Sequence, residues 1–216
     1  MARASSVTLS PAWRLTKQAL RWVRSAGQMC STKVGVLLFT GSQTWLFSDN
    51  DWALQPQGAT PPGRGAAALS AFGEGAIMFG GQGAKGFLAD TWVWTAAEGW
   101  TMTNPGGGPD APSPRSMHSL ATADLGARDG QAIILYGGAN TGEPRMTALN
   151  DTWMMRQSDP KTWYNVGEKF VPPKVPGTTI EHAASPPASW GHSMICHDAS
   201  AIDHAFCMLF GGGVTQ

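Results

Sequence analysis

The chain repeats one pattern at least three times: an apolar run ends in an aromatic residue and a Gly pair, and a Trp-bearing segment follows. In the two clearest copies, Ile-Met-Phe-Gly-Gly at 77–81 precedes Asp-Thr-Trp at 90–92, and Ile-Ile-Leu-Tyr-Gly-Gly at 133–138 precedes Asp-Thr-Trp at 151–153. A further run at 207–212 ends in Phe-Gly-Gly. Repeats of this length predict a solenoid or a propeller, because one unit alone cannot bury its apolar face.

A degenerate copy of the repeat begins the series at 36–41. Two segments carry a second signature, Pro-Arg-Ser-Met-His-Ser at 114–119 and a weaker form of it at 189–193. This ordered set, with Trp100 and Trp163 downstream of the Gly pairs, resembles the kelch repeat, the blade unit of one family of β-propellers. The aromatic residues before the Gly pairs are separated by 40, 57 and 74 positions, around a kelch period of about 50. The pattern therefore predicts regular strands joined by connections of unequal length.

The resemblance implies an all-β fold, a partial kelch-like β-propeller of about three and a half four-stranded blades arranged as an open arc. Strand b of each unit is a continuous apolar run, as expected when both of its faces are covered. Trp92 and Trp94 share one face of strand c by the period of two. The predicted strands a to d are 65–71, 76–79, 90–95 and 99–103 in one unit, and 116–123, 131–136, 150–155 and 162–166 in the next.

Composition agrees with short strands and tight turns, since the 216 residues include 27 Gly and 15 Pro. No apolar run approaches the length of a membrane-spanning helix. The net charge is zero, although residues 1–48 carry six Lys/Arg and no acid. The repeats have no basic stripe, which argues against nucleic acid as the main partner.

The N-terminal segment has two interpretations. Residues 1–33 are rich in Arg and Ser, which is the composition of a mitochondrial or plastid transit peptide. Alternatively, residues 25–31 echo the segment 189–194 and form a worn strand a of the first blade. We favour the second interpretation for 25–33. The predicted organisation is then a basic segment at 1–24, as a helix, targeting sequence or disordered region, and a propeller segment at 25–216.

The unequal connections indicate which end of the blades binds a partner. In an up-and-down blade, the b–c and d–a connections leave one face, and these are the long ones, including 82–89, 139–149 and 167–189. Long loops on a rigid scaffold are where binding usually resides, although such loops also serve as plain spacers. The candidate binding residues on this face are Lys85, Asn140, Glu143, Arg145, Lys169, Lys174 and His182.

Three apparent motifs are better explained by the strands. Gly-x-Gly-x-x-Gly at 81–86 matches a dinucleotide fingerprint, but strand c follows it where the fingerprint needs a helix, so no cofactor is predicted. A cluster of His and Cys lies close in sequence but lacks zinc spacing, so no metal is predicted. Its members are His192, Cys196, His197, His204 and Cys207. We expect these two Cys to pack as free thiols on paired strands. His118 and His192 occupy the same repeat position, which favours a structural role.

We predict a scaffold that mediates protein–protein interaction, an expectation that rests on the resemblance. Its unpaired strand edges would allow a second chain to complete the propeller. The alternative is a small-molecule-binding or enzymatic propeller completed by blades outside this chain. Copper oxidases of this family use Tyr and His ligands, but Tyr136 and Tyr164 both lie within predicted strands, and no catalytic residue is predicted. Three Cys favour a reducing, cytoplasmic location, with the mitochondrion or plastid as the alternative.

Overall fold

The computed structural model describes residues 27–56, 58–126, 130–140, 146–166, 186–198 and 205–214. These residues form fifteen β-strands and no helix. Within the described part of the chain, no helix is long and apolar enough to cross a membrane. The strands build four antiparallel sheets that follow one another along the sequence and are numbered here in that order.

The first two sheets lie between residues 28 and 104. Sheet 1 has the strand order β1-β2-β3-β4, and in sheet 2 both β5 and β6 pair with β7, which continues to β8 and β9. The bounds are β1 (Gln28–Thr32), β2 (Gly35–Phe39), β3 (Thr44–Ser48), β4 (Asp51–Leu54), β5 (Arg64–Gly65), β6 (Ala68–Phe72), β7 (Gly75–Gly83), β8 (Gly86–Thr95) and β9 (Gly99–Asn104).

The remaining two sheets lie between residues 119 and 210. Sheet 3 has the order β10-β11-β12-β13, and sheet 4 pairs β14 with β15. The bounds are β10 (Ser119–Asp124), β11 (Gln131–Tyr136), β12 (Thr152–Arg156), β13 (Tyr164–Asn165), β14 (Ser193–His197) and β15 (Phe206–Phe210).

The sheets pack face to face in series. We call the front of a sheet the face that carries the aromatic residue before the Gly pair, and the back the opposite face. The front of sheet 1 and the back of sheet 2 form one apolar cluster, which includes Phe39, Met78 and Trp94. The front of sheet 2 and the back of sheet 3 form the next, which includes Phe79 and Leu135. Sheets 1 and 2 thus each bury their front face against the next sheet along the chain.

In each of these two interfaces, a Trp of the later sheet forms a hydrogen bond to the earlier one. Trp100 donates its indole N–H to Thr44 Oγ1 at 2.7 Å and meets Phe39 edge to face. Trp163 repeats the arrangement one sheet later, where its indole N–H lies 3.0 Å from the hydroxyl of Thr91 and its ring meets that of Phe79. The Trp residues that mark the sequence repeat are therefore the links between sheets.

The Gly pairs occupy equivalent places and share one backbone conformation. The φ angles are 60° and 99° at Gly80 and Gly81, and 58° and 98° at Gly137 and Gly138. A Cβ at Gly137 would lie 2.6 Å from the carbonyl oxygen of Ser189, which belongs to the segment leading into sheet 4. Glycine is required here because the backbone is left-handed and the next unit approaches closely.

The predicted strands are confirmed in part. Strand b of sheet 3 has the predicted bounds, and Trp92 and Trp94 share the buried back of sheet 2. Strand a of sheet 3 begins at 119 instead of 116, because Met117 has a φ of 57° and interrupts the strand. The first strand, β1, spans Gln28–Thr32 and overlaps the segment 25–31, in which the second interpretation of the N-terminus expects a strand. The propeller and its number of blades stay predictions.

The expectation of two free thiols in sheet 4 is wrong. Cys196 and Cys207 lie directly opposite each other on β14 and β15, with 4.0 Å between their Cα atoms, and form a disulfide. Strand pairing was predicted correctly, but it also brings the two sulfur atoms within bonding distance. Cys30 remains a free thiol, and burial raises its pKa to about 12.

Candidate functional site

The b–c connections of sheets 2 and 3 leave the same end of their sheets, which we call the hairpin end. In sheet 2 the predicted long loop 82–89 is wrong. After a register shift at the Gly pair, β7 and β8 resume pairing at Gly81, Gln82 and Gly83, so that only Ala84 and Lys85 remain as the turn. The sequence hid this hairpin because the extra pairs contain three Gly, which interrupt the strand pattern. Lys85 is exposed at its tip.

The corresponding connection of sheet 3 begins in the same way. Ala139 forms isolated bridges with Ser116 and Ala148. Beyond them, the backbone N–H of Asn140 donates to the carbonyl of Thr147 at 3.3 Å. Asn140 is exposed. The structure thus places both described candidate residues, Lys85 and Asn140, on equivalent b–c connections.

A buried ion pair fixes the base of the first hairpin. The guanidinium of Arg64 donates to both carboxylate oxygens of Asp90, at 2.6 and 2.7 Å, and to the carbonyl of Gly80 at 3.0 Å. The indole N–H of Trp92 donates to the same carboxylate at 2.6 Å. The Arg64 side chain is fully buried. Two ends of the hairpin, the Gly pair and Asp90, are therefore tied to the start of the sheet by one side chain.

The same cluster recurs in sheet 3. Arg115 donates to both oxygens of Asp151 at 2.6 Å and to the carbonyl of Gly137 at 3.0 Å. Trp153 donates its indole N–H to Asp151 at 2.7 Å. We call these two sets, Arg64–Asp90–Trp92 and Arg115–Asp151–Trp153, the Arg–Asp–Trp clusters. The same hydrogen bonds therefore support the base of the b–c connection in both sheets.

Both carboxylates are ionised at neutral pH. Burial alone would raise the pKa of Asp90, but the hydrogen bonds from Arg64 and Trp92 outweigh it and hold the pKa below its usual value. For Asp151, burial is likewise outweighed, here by the hydrogen bonds and charge of Arg115 and by Trp153. A carboxylate satisfied in this way is a poor proton acceptor. The clusters therefore serve to hold the hairpins in place.

A buried His lies behind each cluster. His118 meets Phe79 edge to face, and His192 meets Tyr136 in the same way, so each imidazole packs on the aromatic residue of the preceding sheet. Burial and the charge of Arg115 lower the pKa of His118 to about 3. Burial also lowers the pKa of His192. Both imidazoles are therefore neutral, and the structural role inferred from the repeat agrees with their packing.

We expect the buried His118 to make the fold sensitive to acid. Its folded pKa lies below the unfolded value, so its contribution is fully present above pH 6.5 and is lost as the pH falls toward 3. Between pH 7 and pH 5 the wild type should lose about 2 kcal/mol through this group. Urea unfolding at both pH values would show a smaller loss, by about that amount, in His118→Gln. Equal losses in the two proteins would contradict the assignment.

The other predicted site residues cannot be placed. Glu143, Arg145, Lys169, Lys174 and His182 lie outside the described residues. Sequence reasoning missed the ion pair of Arg64 with Asp90 and that of Arg115 with Asp151. The available signal was the presence of an Arg and an Asp at matching positions of two successive units.

In the described ranges, no three His, Cys, Asp or Glu residues are close enough to hold a metal ion. A cavity of about 150 Å³ lies between Gln55, Trp94 and Glu98. Ligand sites typically measure about 300–1,000 Å³. This cavity is smaller than a typical ligand site, so the hairpin end is the better candidate site.

Comparison with known proteins adds a group of relatives. No family model matches the chain. The chain is 27% identical over 165 residues to Adagio protein 3 of Arabidopsis thaliana, and 29% identical over 170 residues to Adagio-like protein 1 of Oryza sativa subsp. japonica. These alignments cover 75% and 76% of this chain but 22% of each relative. The chain is thus an all-β protein similar to about a fifth of the Adagio proteins it matches.

Proposed function

We propose that this chain is a kelch-type propeller segment that acts as a protein-binding scaffold, and that its partner contacts the hairpin end. The observation that carries the proposal is the contrast between the base of the two b–c connections and the residues beyond that base. At the base, Arg64 and Arg115 are fully buried in paired hydrogen bonds. Beyond the base, Lys85 and Asn140 are exposed. Exposed polar groups on a rigid support bind with little loss of conformational entropy.

The repeat pattern supports the kelch assignment, and the series of antiparallel sheets is compatible with blades. The similarity to Adagio proteins supports a scaffold of this type without identifying the partner. The exposed hairpin at Lys85 also suits a protein better than a small molecule, because it extends from sheet 2 instead of enclosing a cavity. Binding by the d–a connection at 167–189 remains part of the proposal.

Changes of charge at Lys85 and Asn140 test the proposal. In Lys85→Glu combined with Asn140→Arg, we expect the amount of partner retained in quantitative affinity capture from cell extract to fall at least about tenfold, equivalent to about 1.4 kcal/mol. Both residues are exposed, so the free energy of unfolding should change by no more than about 0.5 kcal/mol. Capture would be quantified by mass spectrometry, and folding by thermal unfolding.

The matched control lies at the other end of the same strands. Lys33 and Glu74 form an exposed ion pair of 3.2 Å between the a–b turns of sheets 1 and 2. Lys33→Glu combined with Glu74→Lys exchanges the two charges and keeps the pair. We expect it to retain the partner at wild-type level. Retention by the hairpin variant with loss in this control would place binding at the a–b turns. A wild type that retains no protein above the bead background would refute the scaffold.

A further inference from the structure

The sheet interfaces inside the chain follow one rule for the front face. Four positions on strands a and b point forward, at the pairs Ser70↔Ile77 and Ala68↔Phe79 in sheet 2. Ile77 and Phe79 are both 0% exposed under sheet 3. Their counterparts are buried in sheet 1 under sheet 2, as Leu37 and Phe39. The aromatic residue before the Gly pair is always covered in these interfaces.

The front of sheet 4 carries large apolar residues at the equivalent positions, but these residues are exposed. Phe210 corresponds to Phe79 but is 85% exposed. Ile195 and Met208, which face each other across β14 and β15, are 66% and 59% exposed. Apolar side chains grouped in this way on a surface mark an interaction site.

The covering face follows a rule of its own. In sheet 2 the back presents Leu69, Met78, Trp92, Trp94 and Trp100, which pack on the front of sheet 1. Trp92 and Trp94 lie on β8 opposite Met78 and Ala76, and Trp100 is opposite Trp94. A sheet that covers a front face is therefore rich in Trp on its strands c and d.

The back of sheet 1 has the residues of a covering face. By strand register, Met29 corresponds to Leu69, Trp45 to Trp92, and Trp52 to Trp100. Met29 is 57% exposed, whereas Leu69 is 8% exposed. Trp45 and Trp52 are half-buried. Sheet 1 thus offers a covering face, and sheet 4 offers a face of the type that such residues cover.

We propose that the front of sheet 4 binds the back of sheet 1 of a second copy of this chain. Phe210 of one copy then contacts Trp52 of the other, as Phe39 contacts Trp100 with a ring separation of 5.9 Å within the chain. None of the strand residues on either face is Lys, Arg, Asp or Glu. No Lys, Arg, Asp or Glu side chain of these strands is therefore desolvated when the two faces meet.

The two surfaces differ, so the contact is heterologous. Among the described residues, each copy has one free face of each kind, and head-to-tail contacts of this type produce a ring or an open chain of copies. The association is independent of the hairpin end, since Lys85 and Asn140 lie on the connections of sheets 2 and 3. Failure of one proposal leaves the other standing.

Two variants that each lose one face provide the test. Phe210→Asp should abolish the sheet 4 face, and Met29→Asp should abolish the sheet 1 face; both residues are exposed, so folding should persist. In sedimentation velocity, the wild type should form species larger than a monomer with increasing concentration, and each variant alone should stay monomeric. An equimolar mixture should form a 1:1 dimer and nothing larger, because one intact face of each kind remains.

The control is Met102→Asp, which introduces the same charge at a residue that is 49% exposed on β9. It should associate like the wild type. A wild type that remains monomeric at a protein concentration of about 100 μM, which is a hundredfold above a micromolar dissociation constant, would overturn the proposal. So would a mixture of the two variants that stays monomeric, or a Met102→Asp protein that loses association as they do. Circular dichroism of each variant establishes that it is folded.

Discussion

Asp151→Ala is expected to lower the free energy of unfolding by about 3–5 kcal/mol, because it leaves a buried guanidinium without its carboxylate. The Arg115 side chain is fully buried and donates two hydrogen bonds to Asp151. The indole N–H of Trp153 loses the same acceptor. Chemical denaturation of the wild type and the variant at pH 7 measures the difference.

Two further variants separate the ion pair from its surroundings. Asp151→Ala combined with Arg115→Met removes both charges, and we expect it to recover much of the lost stability, since no unpaired charge stays buried. Asp110→Ala removes an exposed carboxylate and should change stability by no more than about 0.5 kcal/mol. If Asp151→Ala is as stable as Asp110→Ala, the cluster does not hold the hairpin base.

Trp163→Ala should have an effect of similar size, about 3–5 kcal/mol, because it leaves a large cavity between two sheets. The side chain is 2% exposed and packs against Phe79 at a ring separation of 5.3 Å. Its indole N–H also satisfies the hydroxyl of Thr91. Thermal and chemical unfolding would measure the loss.

The neighbouring residue supplies the control. Tyr164 is 42% exposed on β13, and Tyr164→Ala should cost much less. Trp163→Phe keeps an aromatic ring in the interface and removes the indole N–H, so its cost should be intermediate. Equal stability of Trp163→Ala and Tyr164→Ala would show that the sheets do not depend on this link.

The strands could be predicted because their signals are local. The apolar run at 131–136 is bounded by Gly on both sides, and its predicted bounds agree with β11. The alternation of Trp92 and Trp94 fixed their common face, since side chains on a strand alternate with a period of two. The Gly pairs, which the sequence repeats, also proved equivalent in conformation.

The site could not be predicted to the same extent, because its contacts join distant positions. Arg64 and Asp90 are 26 residues apart, and Arg115 and Asp151 are 36 apart. Neither of these separations in sequence follows from strand periodicity. In the sequence, the hairpin at Lys85 has the pattern of a loop, because its extended strands contain Gly, which normally weakens a strand. The disulfide does not follow from the sequence, because three Cys, an odd number, do not describe a disulfide framework.

Serial packing of the sheets also explains how the repeat tolerates its unequal length. Each apolar cluster joins the front of one sheet to the back of the next, so the connections contribute little to either interface. The equivalent aromatic residues are separated by 40, 57 and 74 positions, and yet the φ angles of the Gly pairs that follow them are nearly equal. Doubling a flexible connection costs only about 0.6 kcal/mol of closure entropy. Insertions can thus accumulate between strands during evolution while the contacts that stack one sheet on another stay unchanged.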